Sequence, residues 1–441
     1  LSSILIRKNK IDFFNKMVVF MSYFKTILSN GLTVISYPMP SVRSVSLGLW
    51  FRVGSRDENS QQAGLTHFME HMMFKGTSTK GPLDISMHFD KLGAEFNAFT
   101  SKEYTCYYAR FVDDKLEDAL SMLAEMVIDS TFTQEAIDTE REVVIEEIAR
   151  SEDTPDDYVF ELYNSSTFPQ HSLGLPVLGT RERVGTYTHY DCVNFHQEFY
   201  HAGNLVVAAA GNLDHDNLVK LVNDYFSHMK SGVQTARKLS VPAFSAGVHS
   251  AQRETEQAHL LYGFPWYGVG DERRYVGSVL TALLGGSMSS RLFQEIREKR
   301  GLAYSVYATQ ACYQGAGQWC IYAGTRKENI SEVLTLIEAE LERIRTQTVD
   351  DEELQRTIDF ICGQLLLGLE TTNSHMARLG KREVLGLDQV TPEEQVKGYR
   401  AVTSKQIQEL AQDFLHGDPG IALVSSCTSE DVPFLLNSKK K

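Results

Sequence analysis

"CYYARFVDDKLEDALSMLAEMV" (106–127) recurs in outline as "CIYAGTRKENISEVLTLIEAEL" (320–341). Each opens as a β-rich run, passes a polar turn and continues with apolar residues at helical spacing. The next segments repeat as well: "TFTQEAIDTEREVVIEEI" (131–148) resembles "TVDDEELQRTIDFICGQL" (348–365). The same order of strand, turn, amphipathic helix and second helix, about 215 residues apart, implies an internal duplication. The expected fold class is α+β, with two homologous α/β-sandwich domains, each a mainly antiparallel sheet covered by helices.

Reading outward, "NGLTVISYP" (30–38) is a turn feeding a strand. "VSLGLWFRV" (45–53) alternates and puts Val45, Leu47, Leu49, Phe51 and Val53 on one face. "GAEFNAFTSKEYTCYYARF" (93–111) reads as two strands with a turn near Ser101, and "NLVVAAAGNL" (204–213) as a buried strand. Residues 231–250 lack periodicity. The expected division is therefore 1–22 as a leader or upstream extension, 23–232 as the first domain, 233–250 as a linker and 251–441 as its homologue. The first 22 residues stand outside the fold because they are locally basic and carry no signal-peptide cleavage pattern.

The chain has 441 residues, enough for two or three domains, and a formal net charge of -14. That sign argues against nucleic acid as a partner and suits basic peptides, although acidity also serves solubility. No apolar run is long enough to span a bilayer. Six scattered cysteines without a CxxC pair read as reduced thiols in a reducing compartment.

Chemistry enters with "GLTHFMEHMMFKGT" (64–77). On a helix His67 and His71 differ by about 40° in azimuth, so both imidazoles can face one ion. Glu70 lies roughly 60° to one side of His67, placed to reach a water rather than the metal. This order, His-x-x-Glu-His, is the reverse of the His-Glu-x-x-His zinc signature and supports the same chemistry, with one zinc and a carboxylate base. The bland alternative is a solvated helix that happens to hold two histidines.

A catalytic zinc needs a third ligand. On the helix 134–150, Ile137, Val144 and Ile148 fall within about 20° of one line, the buried stripe. Glu147 and Glu140 lie roughly 60–80° to one side of that stripe, and Glu146 about 180° away. Two acids can simply border an amphipathic helix. With the histidines present, Glu147 is the expected third ligand and Glu140 its supporting acid. The second half has no histidine from Leu260 through Ser374, and ungapped alignment sets Gln364 opposite Glu147 and Thr357 opposite Glu140. One zinc per chain follows.

These motifs resemble the insulinase/pitrilysin family of zinc peptidases, the inverzincins. The resemblance covers about residues 24–430. It is strongest to the half-size members that include bacterial processing proteases and the β-subunit of the mitochondrial processing peptidase. The 76-residue step from His71 to Glu147 matches, as does Glu140 seven residues earlier. The resemblance implies further residues. In "IREKRGLAYSVY" (296–307), Arg297 and Tyr304 match a pair that binds substrate backbone and the tetrahedral intermediate. In "EFNAFT" (95–100), Asn97, Ala98 and Phe99 match the substrate-binding edge strand; by pattern alone that strand could equally be interior.

The resemblance implies an endopeptidase acting on short or unfolded peptides in a clamshell chamber. Full-size members have four such units, so it also implies a homodimer in which Arg297 and Tyr304 act in trans. The short "LLGGSMSSRL" (283–292) differs from the long glycine-rich loop of the non-catalytic processing-peptidase subunit. Two alternatives remain: the catalytic subunit of a presequence-processing peptidase, and a non-catalytic scaffold like the respiratory-complex core subunits. The implied location is bacterial cytoplasm, with the mitochondrial matrix as the alternative.

Overall fold

A computed structural model describes residues 23–232, 237 and 240–432. The expected leader, 1–22, lies outside the described residues, as does most of 233–239. In the first half, strands β1 (Phe24–Ile27), β2 (Thr33–Pro38), β3 (Ser44–Phe51), β4 (Glu95–Thr100), β5 (Thr105–Val112) and β6 (Leu205–Gly211) form one sheet, in the order β1-β2-β6-β3-β5-β4. Its helices are α1 (Leu65–Met72), α2 (Pro82–Leu92), α3 (Leu116–Ile128), α4 (Gln134–Asp153), α5 (Pro155–Thr167), α6 (Arg181–Val184), α7 (His189–Phe199) and α8 (His215–Phe226).

The second half repeats the plan. Strands β7 (Gly247–Gln252), β8 (Ala258–Trp266), β9 (Ala303–Tyr313), β10 (Ala316–Thr325) and β11 (Gly420–Ser425) run in the order β7-β11-β8-β10-β9. Helices α9 (Arg274–Gly285), α10 (Ile330–Thr346), α11 (Asp351–Gly368), α12 (Thr372–Val384), α13 (Pro392–Arg400) and α14 (Ser404–Phe414) complete it, with a π-helix at Phe293–Glu298. Each sheet has one parallel pair, β2 with β6 and β7 with β11, and is otherwise antiparallel. The α+β expectation holds. Strand β7 takes up residues from Gly247, inside the stretch read from sequence as a linker.

Alternation in β3 works as expected on one face: Val45, Leu47, Leu49 and Phe51 are fully buried in the first core. The opposite face is buried too. Helix α12 of the second half lies across it and packs Met376, Leu379 and Val384 against Ile35, Trp50, Cys106 and Val206. The debt is returned by α5 of the first half, whose Val159 and Tyr163 cover Leu261, Cys320, Ala422 and Val424 of the second sheet. Both crossings need glycine at the closest approach. A Cβ on Gly380 would sit 2.3 Å from the Trp50 ring, and one on Gly263 2.3 Å from the Tyr163 hydroxyl.

A polar clamp adds to this exchange. Glu103, in the turn between β4 and β5, accepts from Arg56 at 2.7 Å and from the Gln314 backbone of the β9–β10 turn at 3.0 and 3.1 Å. Arg237 grips Asp57 through two bonds of 2.6 and 2.7 Å and donates to the Gln314 side chain at 2.8 Å. The turn that closes the edge strand β4 is thereby fastened to the second half.

Candidate active site

Helix α1 starts abruptly after Gly64, whose φ of +94° suits glycine. The helix has no side-chain N-cap, and its first amides turn to Glu58 instead. That buried carboxylate accepts from the Gly64 amide at 2.8 Å and the Thr66 amide at 2.6 Å, satisfying donors the helix leaves open. Leu65, Phe68, Met69 and Met72 bury one side of α1 in the core. The same winding sets His67 and His71 edge to face, with ring centroids 4.6 Å apart.

Helix α4 packs against α1, capped by the Thr133 hydroxyl, which accepts from the Ala136 amide. Its buried residues are Ile137, Glu140, Val144 and Ile148, and Glu146 is exposed. Glu147 stands at the border. Its Oε2 is 3.7 Å from His67 Nε2 and 3.5 Å from His71 Nε2. Ligands about 2.1 Å from a tetrahedral centre lie about 3.4 Å from one another, so these separations fit a zinc-sized ion. Two imidazole nitrogens and one carboxylate oxygen, all within 4.8 Å of one another, could hold a metal ion and are the donor types that a three-ligand zinc site uses.

Behind this cluster, His71 Nδ1 lies 2.7 Å from Glu140 Oε1, and Lys75 Nζ lies 2.5 Å from Glu140 Oε2. Burial works against the Glu140 charge, yet the His71 and Lys75 contacts hold its carboxyl below the usual range. Burial and the neighbouring His71 pull His67 down to about 4, which favours the neutral, ligating form. Burial also lowers His71, but its bonds to Glu140 and Glu147 outweigh that and carry it up to about 9. The His71 contact outweighs burial, which acts the other way, and holds the Glu147 carboxyl below the usual carboxylate range.

Glu70 points from the same helix into a cleft of about 330 Å³, which His71, Phe74, Lys75, Phe96, Asn97 and Glu140 also line. Burial raises its carboxyl above the ordinary value; the Thr100 hydroxyl, donating at 2.5 Å, and His71 oppose that rise. Strand β4 forms one wall and is the last strand of its sheet; among the described residues it pairs only with β5. Its other edge is therefore open, which resolves the choice between edge and interior strand. Asn97 and Phe99 are exposed along it and Ala98 is half-buried.

The structure thus brings together His67, Glu70, His71, Glu140, Glu147 and the strand 95–100. Arg297 and Tyr304 stand apart. The Arg297 guanidinium lies 5.0 Å over the Tyr304 ring and 4.8 Å over Phe293. Tyr304 is 75% exposed at the start of the edge strand β9. Among the described residues, no hydrogen bond, ion pair or ring contact joins either one to the histidine cluster. Sequence reasoning missed Glu58, Lys75 and Thr100. Lys75 follows His71 by four residues, a spacing that could have flagged it; nothing in the pattern marks the other two.

The second half has an ion pair between the lead-in to its π-helix and its own second long helix. Just before the π-helix, Arg291 makes a two-bond pair with Glu353 of α11 at 2.9 and 2.7 Å, with Glu340 at 4.0 Å.

Comparison with known proteins agrees with this arrangement. The profile described as insulinase (peptidase family M16) matches residues 33–181, and that described as the peptidase M16 inactive domain matches residues 186–360. An uncharacterized zinc protease of Bacillus subtilis is 40% identical over 90% of this chain and 96% of its own. One from Streptomyces coelicolor is 40% identical over 91% of this chain and 89% of its own. Among solved structures, a protease from Helicobacter pylori superposes with a TM-score of 0.84 at 19% identity, covering 92% of this chain and 100% of that one. A peptidase M16 inactive domain from Pseudomonas fluorescens gives 0.85 at 21%, covering 92% and 99%. With sequence relatives this similar over nine-tenths of its length, the chain belongs to the insulinase (peptidase M16) family.

Proposed function

We propose that the chain is a zinc-dependent endopeptidase that hydrolyses short or unfolded peptides, with one zinc per chain held by His67, His71 and Glu147. The observation that carries this reading is the convergence of those three side chains beside Glu70 and an open strand edge. The names of the bacterial relatives as zinc proteases support it. The complete ligand set speaks against a scaffold that has lost its chemistry. In this reading residues 23–232 carry the zinc site, 233–250 link, and 251–441 form the metal-free counterpart. Six free cysteines fit a reducing, cytoplasmic setting.

The zinc, when bound, polarises the scissile carbonyl and lowers the pKa of the attacking water. The chain's own groups do the rest. A peptide adds to the open edge of β4, where Asn97, Ala98 and Phe99 meet its backbone and side chains. Glu70 takes the water's proton on a carboxylate oxygen and passes it to the leaving amine. Glu140 fixes the His71 ring through Nδ1, and with it the direction of Nε2. Arg297 and Tyr304 supply donors to the developing oxyanion from a second copy of the chain. The exposure of Tyr304, and the lack among the described residues of a contact between either group and the histidine cluster, support a homodimer in which the two groups act in trans.

The test is hydrolysis of an unstructured, fluorescence-quenched peptide by the purified chain. Wild type should cleave, lose activity to a chelator and recover it with zinc. Glu70→Gln should keep its zinc and lose at least about 10²-fold in kcat. A zinc-loaded wild type without activity, or a Glu70→Gln variant near wild type, overturns the reading.

A further inference from the structure

The Thr100 hydroxyl donates to Glu70 Oε2 at 2.5 Å. Thr100 is the last residue of β4, the strand with the open edge. Its backbone is held in place from two sides. It pairs with Thr105 of β5, and the turn that follows is bound to Ser55 and Arg56 by backbone bonds of 3.1 and 2.7 Å. The Glu103 clamp grips the same turn. A fixed donor therefore reaches across from the sheet to a side chain on α1. Among the described residues it is the one hydrogen-bond donor to Glu70 from the protein, and it engages one oxygen. Among the same described residues Oε1 receives no donor, which leaves it for the cleft that Glu70 lines.

We propose that Thr100 is a positioning residue for Glu70: its hydroxyl sets the carboxylate so that Oε1 meets the water, and it keys that orientation to the strand that receives the peptide. This rests on the peptidase reading above. A glutamate has three rotatable bonds, and a base must be held within roughly 0.5 Å of its productive place. Packing alone cannot give that to a group facing a cleft. The bond to Thr100 also means that the base and the substrate strand share one frame, so that a peptide docked on β4 arrives in register with the carboxylate.

Thr100→Val keeps the shape and removes the donor, and Thr100→Ser keeps the donor. Thr100→Ala is a second donorless variant should Val fold poorly. The expected result is that Ser stays within about threefold of wild-type kcat while Val and Ala lose roughly 10- to 100-fold, with KM within about twofold. Zinc content and melting temperature stay at wild-type values. A crystal structure of Thr100→Val shows the Glu70 carboxylate displaced from its wild-type place. Donorless variants within about threefold of wild-type kcat, or a serine variant that loses as much as valine, overturn the inference. Glu70→Gln run alongside separates the two failures. If it is inactive while Thr100→Val is normal, the positioning role alone fails; if it is fully active, the peptidase reading itself fails.

Discussion

His71 and Glu140 are joined at 2.7 Å through the imidazole nitrogen that faces away from Glu147, and Lys75 holds the other Glu140 oxygen at 2.5 Å. The ring's orientation is thus set from behind by a residue that does not itself belong to the donor set. Glu140→Gln should weaken zinc affinity by about 10- to 100-fold, yet the variant should fill at saturating zinc. Glu147→Ala should fail to keep zinc through dialysis. Competition titration with a chromophoric chelator measures both. A loss in Glu140→Gln as great as that in Glu147→Ala would overturn the division of roles between ligand and supporting acid.

The pairing of Arg297 with the exposed Tyr304 leads to a complementation experiment. Glu70→Gln and Tyr304→Phe chains are each expected to be impaired alone. After subunit exchange, half of the dimers are mixed and each holds one intact site, so activity should approach about a quarter of wild type. Exchange is followed by mass spectrometry of differently tagged chains. Demonstrated exchange without recovered activity would exclude the trans arrangement, and so would a fully active monomer in sedimentation.

The Glu103 clamp should be visible in stability. Arg56 and Glu103 side chains are 2% and 3% exposed and 2.7 Å apart. Removing one partner leaves the other charge buried, a loss of about 3–5 kcal/mol. Glu103→Ala should lower the urea midpoint accordingly and perturb β4, whose closing turn Glu103 anchors. Hydrogen exchange over residues 95–105 locates the effect. A loss below about 1 kcal/mol would show that water relieves the stranded arginine.

Much of this was legible in the sequence because local pattern carried it. The repeated strand-turn-helix order gave away the duplication, and 3.6-residue spacing placed Glu140 and Glu147 beside the buried stripe of α4. What stayed hidden depends on residues distant along the chain. The alternation of β3 suggested a half-exposed strand, but Ser46, Gly48 and Trp50 are covered by a helix more than 300 residues away, which no window on β3 can register. Thr100 is 30 residues from Glu70, and Glu58 caps α1 from beyond a loop. Threonines and glutamates are common, so pattern cannot separate these two from their neighbours.

The exchange of α5 and α12 has a consequence for how the chain is made. On a ribosome, β6 completes the first sheet at Gly211, but the helix that roofs its outer face begins at Thr372. About 160 residues must still emerge, roughly ten seconds or more of synthesis, during which Ile35, Trp50 and Val206 have no cover. The nascent first half is therefore a sticky intermediate that cannot finish by itself, and a polypeptide released early would expose an apolar face. Folding of the first half is finished only when nearly the whole chain has been translated.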